Sequence, residues 1–309
     1  MKLIICCLFV SLALSGCFTG IENTGHITEK DVTRVKADRK SPEEIFLDTV
    51  HPADFMHWKP GKLFYVSDNN IRLIFTPSSL YDVGSLQLKG DTLRYGGYKF
   101  IRQIDNSEDV IISMSDLDKN NTYYYNTGKT IDEVEEQKSE YIVPFLIDLD
   151  YVDKIRSMLI GKTLYIKTSL WMDVDRNAIE GLHYVPVVIT DVKPGDIVYP
   201  FFVEFECNDK KAAVYMSSQV SSIKNMTFDK LFSFTDLRKN YSHITDENWE
   251  MITKGDIAVA MTKEECSLSL GAPRSIERVP THGGLYERWS YDNGVYLIFE
   301  NGLLTRFRK

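Results

Sequence analysis

The chain lacks the short motifs that mark nucleotide, acyl-transfer or zinc-hydrolase chemistry. No G-x-S-x-G elbow, P-loop, G-x-G-x-x-G turn or H-E-x-x-H helix occurs in its 309 residues, which removes the enzyme classes built on those geometries. Histidine is scarce. The six are His26, His51, His57, His183, His243 and His282. Only His51 and His57 are close together, and no neighbouring Cys or third His completes a ligand set around them. A structural or solvated role is expected for both, with no metal and no cofactor. Lysine and arginine number 36 against 44 acidic residues, a net charge of -8. That acidic balance argues against a nucleic-acid partner, because phosphate contacts need clustered Lys and Arg. Past the first few residues, no apolar run approaches the ~18 residues of a membrane-spanning helix.

The N-terminus holds the most legible signal. Lys2 supplies a positive charge, Leu3 to Leu14 form an apolar stretch, and Leu14-Ser15-Gly16-Cys17 follows. A secretory signal ends in small residues at its cleavage site. Here a leucine and two small residues directly precede a cysteine. The segment resembles the lipobox of bacterial lipoproteins, and the resemblance implies cleavage before Cys17 and acylation of its thiol, palmitate included. A lipid anchor gains about 0.8 kcal/mol per buried methylene, so more than one chain holds a protein firmly. The expected setting is the bacterial cell envelope, lipid-anchored, on the outer membrane.

Residues 1–16 are thus read as signal peptide and 17–40 as a polar, lipidated tether. Cys6 and Cys7 leave with the signal and Cys17 is consumed by lipid. Cys207 and Cys266 remain, in different segments and without metal spacing. They read as two separate buried thiols rather than a pair.

Order is expected to begin at Ser41-Pro42-Glu43-Glu44, a capping box with proline at the first helical position. From Trp58 to about Ser218, short Tyr-, Phe-, Val- and Ile-rich runs alternate with turn residues, which predicts strands. Gly61-Lys62-Leu63-Phe64-Tyr65-Val66 resembles Gly161-Lys162-Thr163-Leu164-Tyr165-Ile166. Each is followed by a longer strand pair, a tyrosine-bearing strand and a helix-like stretch. Two small β modules of similar plan follow, over 41–142 with a leading helix and over 143–244.

The tail, 245–309, predicts two helices capped at Thr245 and Thr262, the second stopped by Gly271 and Pro273. Asn293-Gly294 and Asn301-Gly302 predict hairpin turns, and hence a three-stranded meander. The residues Met261-Thr262-Lys263-Glu264-Glu265, Leu270-Gly271-Ala272-Pro273, Trp289-Ser290-Tyr291, Phe299 and Asn301-Gly302 resemble the small lipoprotein A / BamE-like (SmpA/OmlA) domain of envelope proteins. That resemblance implies two helices on a three-stranded antiparallel sheet. Two positions depart from its pattern: Ala260 stands for the usual glycine and Cys266 for the usual aliphatic residue. The expected fold class is therefore α+β: one or two small antiparallel β modules followed by a two-helix, three-stranded antiparallel sheet domain.

Candidate chemistry is thin. Asp116-Asp118-Asn120 and Asp173-Asp175-Asn177 match the opening of a calcium loop, but Asn121 and Ala178 stand where glycine is needed, and Thr127 and Tyr184 where glutamate is. They read as polar turns. Asp148, Asp150 and Asp153 read as a solvated strand-to-helix junction rather than an acid/base pair. Tyr123-Tyr124-Tyr125 can stack on a sugar, or simply alternate along a strand.

Two-residue turns at both Asn-Gly pairs place Trp289 opposite Ile298, and Tyr291 and Phe307 opposite Tyr296. That face is expected to meet the helices, leaving Leu297, Phe299 and Leu304 outward with Arg288 and Arg306 at the rim. These five residues are a candidate interaction patch, unless a neighbouring module covers them. A one-residue slip would exchange the faces. The functional expectation is a non-catalytic, membrane-anchored envelope lipoprotein acting as a protein-interaction or assembly subunit, its partner another envelope protein. The alternative is a ligand- or glycan-binding surface lipoprotein.

Overall fold

The computed structural model describes residues 40–77, 87–104, 106–117, 121–137, 142–218, 224–281 and 284–309. Cys17, the signal segment and all of the tether but Lys40 lie outside them. The expected fold class is corrected. Among the described residues the chain is mostly β, with 17 strands in antiparallel sheets of six, seven and four strands and six short helices. No helix among them is long and apolar enough to cross a membrane.

The first helix, α1 (Pro42–Phe46), starts where Ser41 Oγ accepts from the Glu44 amide at 3.1 Å and Glu44 Oε2 accepts from the Ser41 amide at 2.6 Å. It packs on the second sheet rather than the first. The Phe46 ring lies 5.0 Å from those of Phe228 and Phe234, and Glu43 accepts from the Phe234 amide at 2.9 Å.

The first sheet has strand order β2-β5-β4-β3-β1-β6. Its strands are β1 (Leu63–Val66), β2 (Phe75–Pro77), β3 (Thr92–Arg102), β4 (Glu108–Asp116), β5 (Thr122–Asn126) and β6 (Leu146–Asp148). Between β5 and β6 lies α2 (Ile131–Glu135), capped by Thr130 and Glu133. Helix α3 (Leu149–Leu159) follows β6 directly. Its apolar residues Tyr151, Val152, Ile155 and Leu159 recur at helical spacing and are all buried, as an amphipathic helix requires. The second sheet runs β13-β7-β10-β11-β12-β8-β9, with β7 (Thr163–Ile166), β8 (Leu170–Met172), β9 (Ala178–Glu180), β10 (Val185–Pro194), β11 (Phe201–Cys207), β12 (Lys210–Met216) and β13 (Phe232–Ser233). Helix α4 (Phe228–Leu231) precedes β13.

The two sheets share one plan. Strands β6, β1, β3, β4, β5 and β2 stand in the order of β13, β7, β10, β11, β12 and β8. The Gly61 amide donates to Tyr95 O and the Gly161 amide to Ile189 O, both at 2.8 Å. A bulge follows at the same place in each, between Tyr95 and Gly97 and between Ile189 and Asp191. The likeness of 61–66 and 161–166 thus extends to the order of six strands in each sheet; β9 has no counterpart.

The tail has α5 (Asp246–Thr253), α6 (Lys263–Leu270) and a four-stranded sheet, β14 (Ser275–Thr281), β15 (Gly284–Ser290), β16 (Tyr296–Glu300) and β17 (Leu303–Arg308). A two-helix, three-stranded domain is not what forms. Residues 275–281 carry only Ile276 and Val279 as large apolar side chains, so no hydrophobic run announced the added strand; it pairs with β15 along its whole length.

The expected pairing is also shifted. Across the first turn Trp289 lies opposite Leu297 and Ser290 opposite Tyr296, because residues 291–295 form a wider turn closed by the Tyr291 amide on Val295 O at 2.9 Å. The second turn is the tight one expected, with Glu300 opposite Leu303, but a bulge at Ile298/Phe299 then shifts the strand. The faces of β16, and of Leu304 beside it, are thereby exchanged, while Trp289 stays inward as expected. Leu297, Phe299 and Leu304 are fully buried, sharing a core with Trp289, Met261 and Cys266. The physical reason is area: this register places three large apolar side chains beside Trp289 under the helices, and that burial outweighs a tighter turn.

Candidate functional site

The tail patch dissolves on this geometry. Its three apolar members are interior, and Arg288 and Arg306 are exposed on the outer face. Arg288 lies over the Tyr296 ring at 5.3 Å. The sheet is covered on one side, and its other face mixes Arg288 and Arg306 with Tyr296, Ile298 and Val279.

Each acidic cluster is engaged locally. Asp148 caps α3, accepting from the amides of Asp150 and Tyr151, and holds Lys62 at 2.7 Å; Lys62 also reaches Asp150 at 2.6 Å. Asp153 pairs with Arg156, which also reaches Asp191 at 2.8 Å. Asp173 forms the turn between β8 and β9, accepting from the Asn177 amide at 2.8 Å and its side chain at 3.0 Å; those bonds hold its carboxyl below the usual carboxylate range. Asp116 accepts in the same manner from Asn121, while Asp118 and Asn120 lie outside the described residues. No three His, Cys, Asp or Glu side chains converge as a metal site among the described residues. His51 is exposed, His57 approaches only Asp54 at 3.9 Å, and His26 and His282 are not described.

The three tyrosines of β5 do not form a platform. Tyr123 is buried and stacks on Phe75 at 5.5 Å, and burial pushes its hydroxyl pKa up. Tyr125 is half-buried against the same core. Only Tyr124 faces outward, with the Lys99 ammonium 4.6 Å from its ring, over a shallow groove floored by Gly96, Gly97 and Ser113. An apolar cleft between the two large sheets, lined by Trp58, Phe64, Ile147, Tyr151 and Ile197, has room for only a few waters at about 40 Å³.

What remains is an arm. Strand β3 runs eleven residues, but β1 accompanies it only over Thr92–Arg94, with one further bond pair at Tyr95. At the bulge Gly97 adopts φ +118°, a conformation that favours glycine, and a Cβ on Gly96 would sit 2.8 Å from Ser113 Oγ, so that hydroxyl would have to move. Beyond the bulge β3 keeps only β4 beside it among the described residues, and the hairpin continues to a turn closed by the Gln103 amide on Ser107 O at 2.8 Å. Four large apolar side chains on this arm are unburied: Tyr98 at 40%, Phe100 at 48%, Ile101 at 44% and Ile104 at 104% relative exposure. Tyr98 and Phe100 lie edge to face, 5.6 Å apart. Arg102 and Glu108 pair at 3.5 Å beyond them, and Gln103 donates to Asp109 at 2.6 Å.

Compared with protein-family models, curated proteins and solved structures, the chain matches none.

None of the arm residues stood out in the sequence, where Tyr98 to Ile104 reads as one strand among many. The signal that finds them is the repeat. Residues 149–159 are an amphipathic helix; the corresponding 49–59 contain Pro52 and no helical apolar period.

Proposed function

We propose that this chain is a non-catalytic lipoprotein of the bacterial envelope, anchored by lipid on Cys17, that acts as a protein-interaction or assembly subunit and docks another envelope protein through the β3–β4 arm. The observation that carries the reading is the exposure of Tyr98, Phe100, Ile101 and Ile104 on one projecting hairpin. Tyr98 and Phe100 share one face of β3, with Ile101 on the other face and Ile104 at the tip, and exposed apolar side chains that adjoin one another mark contact sites. Two adjoining aromatic rings with Arg102 and Glu108 at their edge have the composition of an interface core with a polar rim.

The location rests on the N-terminal lipobox resemblance and the partner on the arm, so the two are separable. A pull-down from intact envelopes with the lipidated full chain tests the second. Phe100→Asp and Ile104→Asp change side chains that support no core, and the fold is expected to keep its melting temperature while co-purifying partners are lost. Unchanged partners with both variants present would overturn the docking role.

A further inference from the structure

The internal repeat supplies an occupant for the arm. Aligned on their bulges, Gly97 opposite Ser113 matches Asp191 opposite Glu204, and three residues on, Phe100 opposite Val110 matches Pro194 opposite Phe201. In the second sheet this stretch is covered by α3. The Tyr151 ring meets that of Phe201 edge-on at 5.1 Å, and Arg156 donates to Val192 O at 3.0 Å and to Asp191 at 2.8 Å. Val192 is fully buried as a result.

In the first sheet no helix among the described residues takes the place of α3. Pro52 falls where Val152 stands in α3, and the segment forms only a 3-10 turn, Phe55–His57. Phe55 fills the place of Ile155; both precede the Gly-Lys pair by six residues and both are buried. The counterpart of Tyr151 is His51, which is exposed. Helix α2 packs on β4 and Val110 is covered, yet Phe100 across from it stays 48% exposed, and Tyr98, the counterpart of Val192, 40%. Phe55 meets Tyr98 from one side, with the rings 5.3 Å apart, and among the described residues no side chain takes the place that Tyr151 has on the second sheet. Arg102, two residues past Phe100 on the same face, has a side chain 71% exposed and meets Glu108 only at 3.5 Å. It offers a cation to a carboxylate arriving beside Phe100.

We infer that Phe100 and the open edge of Tyr98 receive an amphipathic helix from the protein partner, beside Phe55 and in the place the first turns of α3 take on the second sheet, with an aromatic or aliphatic anchor in the role of Tyr151 and a carboxylate toward Arg102. This mode is helix-in-groove recognition, read as anchors at i, i+3/i+4 and i+7, and it deepens the docking role proposed above, on which it rests.

The probe is a stapled helical peptide with this chain's own sequence from Asp148 to Gly161, titrated by fluorescence anisotropy into the full chain. Saturable binding is expected, weakened at least tenfold by Phe100→Asp and unchanged by Tyr124→Ala on the outer face. A control peptide with Tyr151 and Ile155 replaced by serine is expected not to bind. No saturable binding, equal binding by the control, or indifference to Phe100→Asp would overturn the inference. So would a Phe100-dependent dimer in sedimentation, Phe100-dependent binding to phosphatidylethanolamine/phosphatidylglycerol vesicles, or peptide binding that emerges only after deletion of residues 18–39. Those three results assign the seat to a second copy, a bilayer or the tether. Partners lost from Phe100→Asp in the pull-down without peptide binding would keep the docking role and discard the helix. Peptide binding with all partners retained would do the reverse.

Discussion

The imidazole Nε2 of His183 lies 3.2 Å from the carbonyl oxygen of Leu268, fastening the loop before β10 to the last turn of α6. The His183 amide adds a second tie, to Thr253 O at 2.9 Å. Only a donor can serve a carbonyl, so the neutral ring carries its proton on Nε2. The residue is 5% exposed, and burial holds its pKa below the ordinary value, against the opposing effect of the Leu268 bond. Because the folded pKa lies under the unfolded one, the folded state binds the proton less readily. The contribution to stability is whole above about pH 6.5 and declines as pH falls from there toward the folded pKa. Melting temperature measured from pH 8 to 5 is expected to fall below pH 6.5 in the parent chain, and to fall less in that window in His183→Gln. Parallel curves would remove His183 from the pH dependence.

Glu287 is 3% exposed on the inner face of β15, held by Lys263 from α6, with Trp289 Nε1 at 3.2 Å and Arg278 at 3.5 Å. The bond from Lys263 is the largest influence, and it keeps the carboxyl below its usual range. Removing one partner of a buried pair leaves a charge without compensation, at about 3–5 kcal/mol. Lys263→Met is expected near the lower end, because Lys263 is a third exposed and Arg278 remains. The double variant Lys263→Met/Glu287→Met is expected to regain most of that loss in denaturant unfolding. A double variant as unstable as the single one would mean the pair stabilises the tail outright.

The observed register of the tail sheet makes Leu297 and Phe299 core residues. Phe299→Ala is expected to cost about 3–5 kcal/mol, the range for a fully buried aromatic ring, while Ile298→Ala on the outer face is expected to cost under about 1.5 kcal/mol. Equal losses for the two would restore the opposite facing of β16.

Cys17→Ala tests the anchor. The variant is expected to accumulate as an unprocessed precursor without acyl label and to leave the membrane fraction when the signal is removed by design. Normal processing and membrane attachment of Cys17→Ala would end the lipoprotein reading.

The local signals of the sequence were legible where a single backbone group had to be satisfied. The boxes at Ser41 and Thr262 cap helices in the structure because each side chain answers the neighbouring amide directly. The likeness of 61–66 to 161–166 was visible because both strands need the same glycine turn and the same alternation. Competition between distant groups was not legible. The turn at Asn293-Gly294 gave way to the burial of Leu297 and Phe299, and β14 was missed because its residues are mostly polar. The candidate site was missed for a related reason: exposure at Tyr98 and Phe100 comes from a helix that Pro52 prevents some fifty residues earlier, and no local pattern at the arm reports it.

The account turns on the arm's contact with another protein. Photo-reactive residues placed at 100 and 104 in the full chain, and at 124 on the opposite face of the same sheet, can be activated in intact cells. The account predicts discrete protein adducts at positions 100 and 104 that are abolished when Tyr98→Asp is added, and none at 124. No adducts at 100 and 104, or the same adducts at 124, would contradict it.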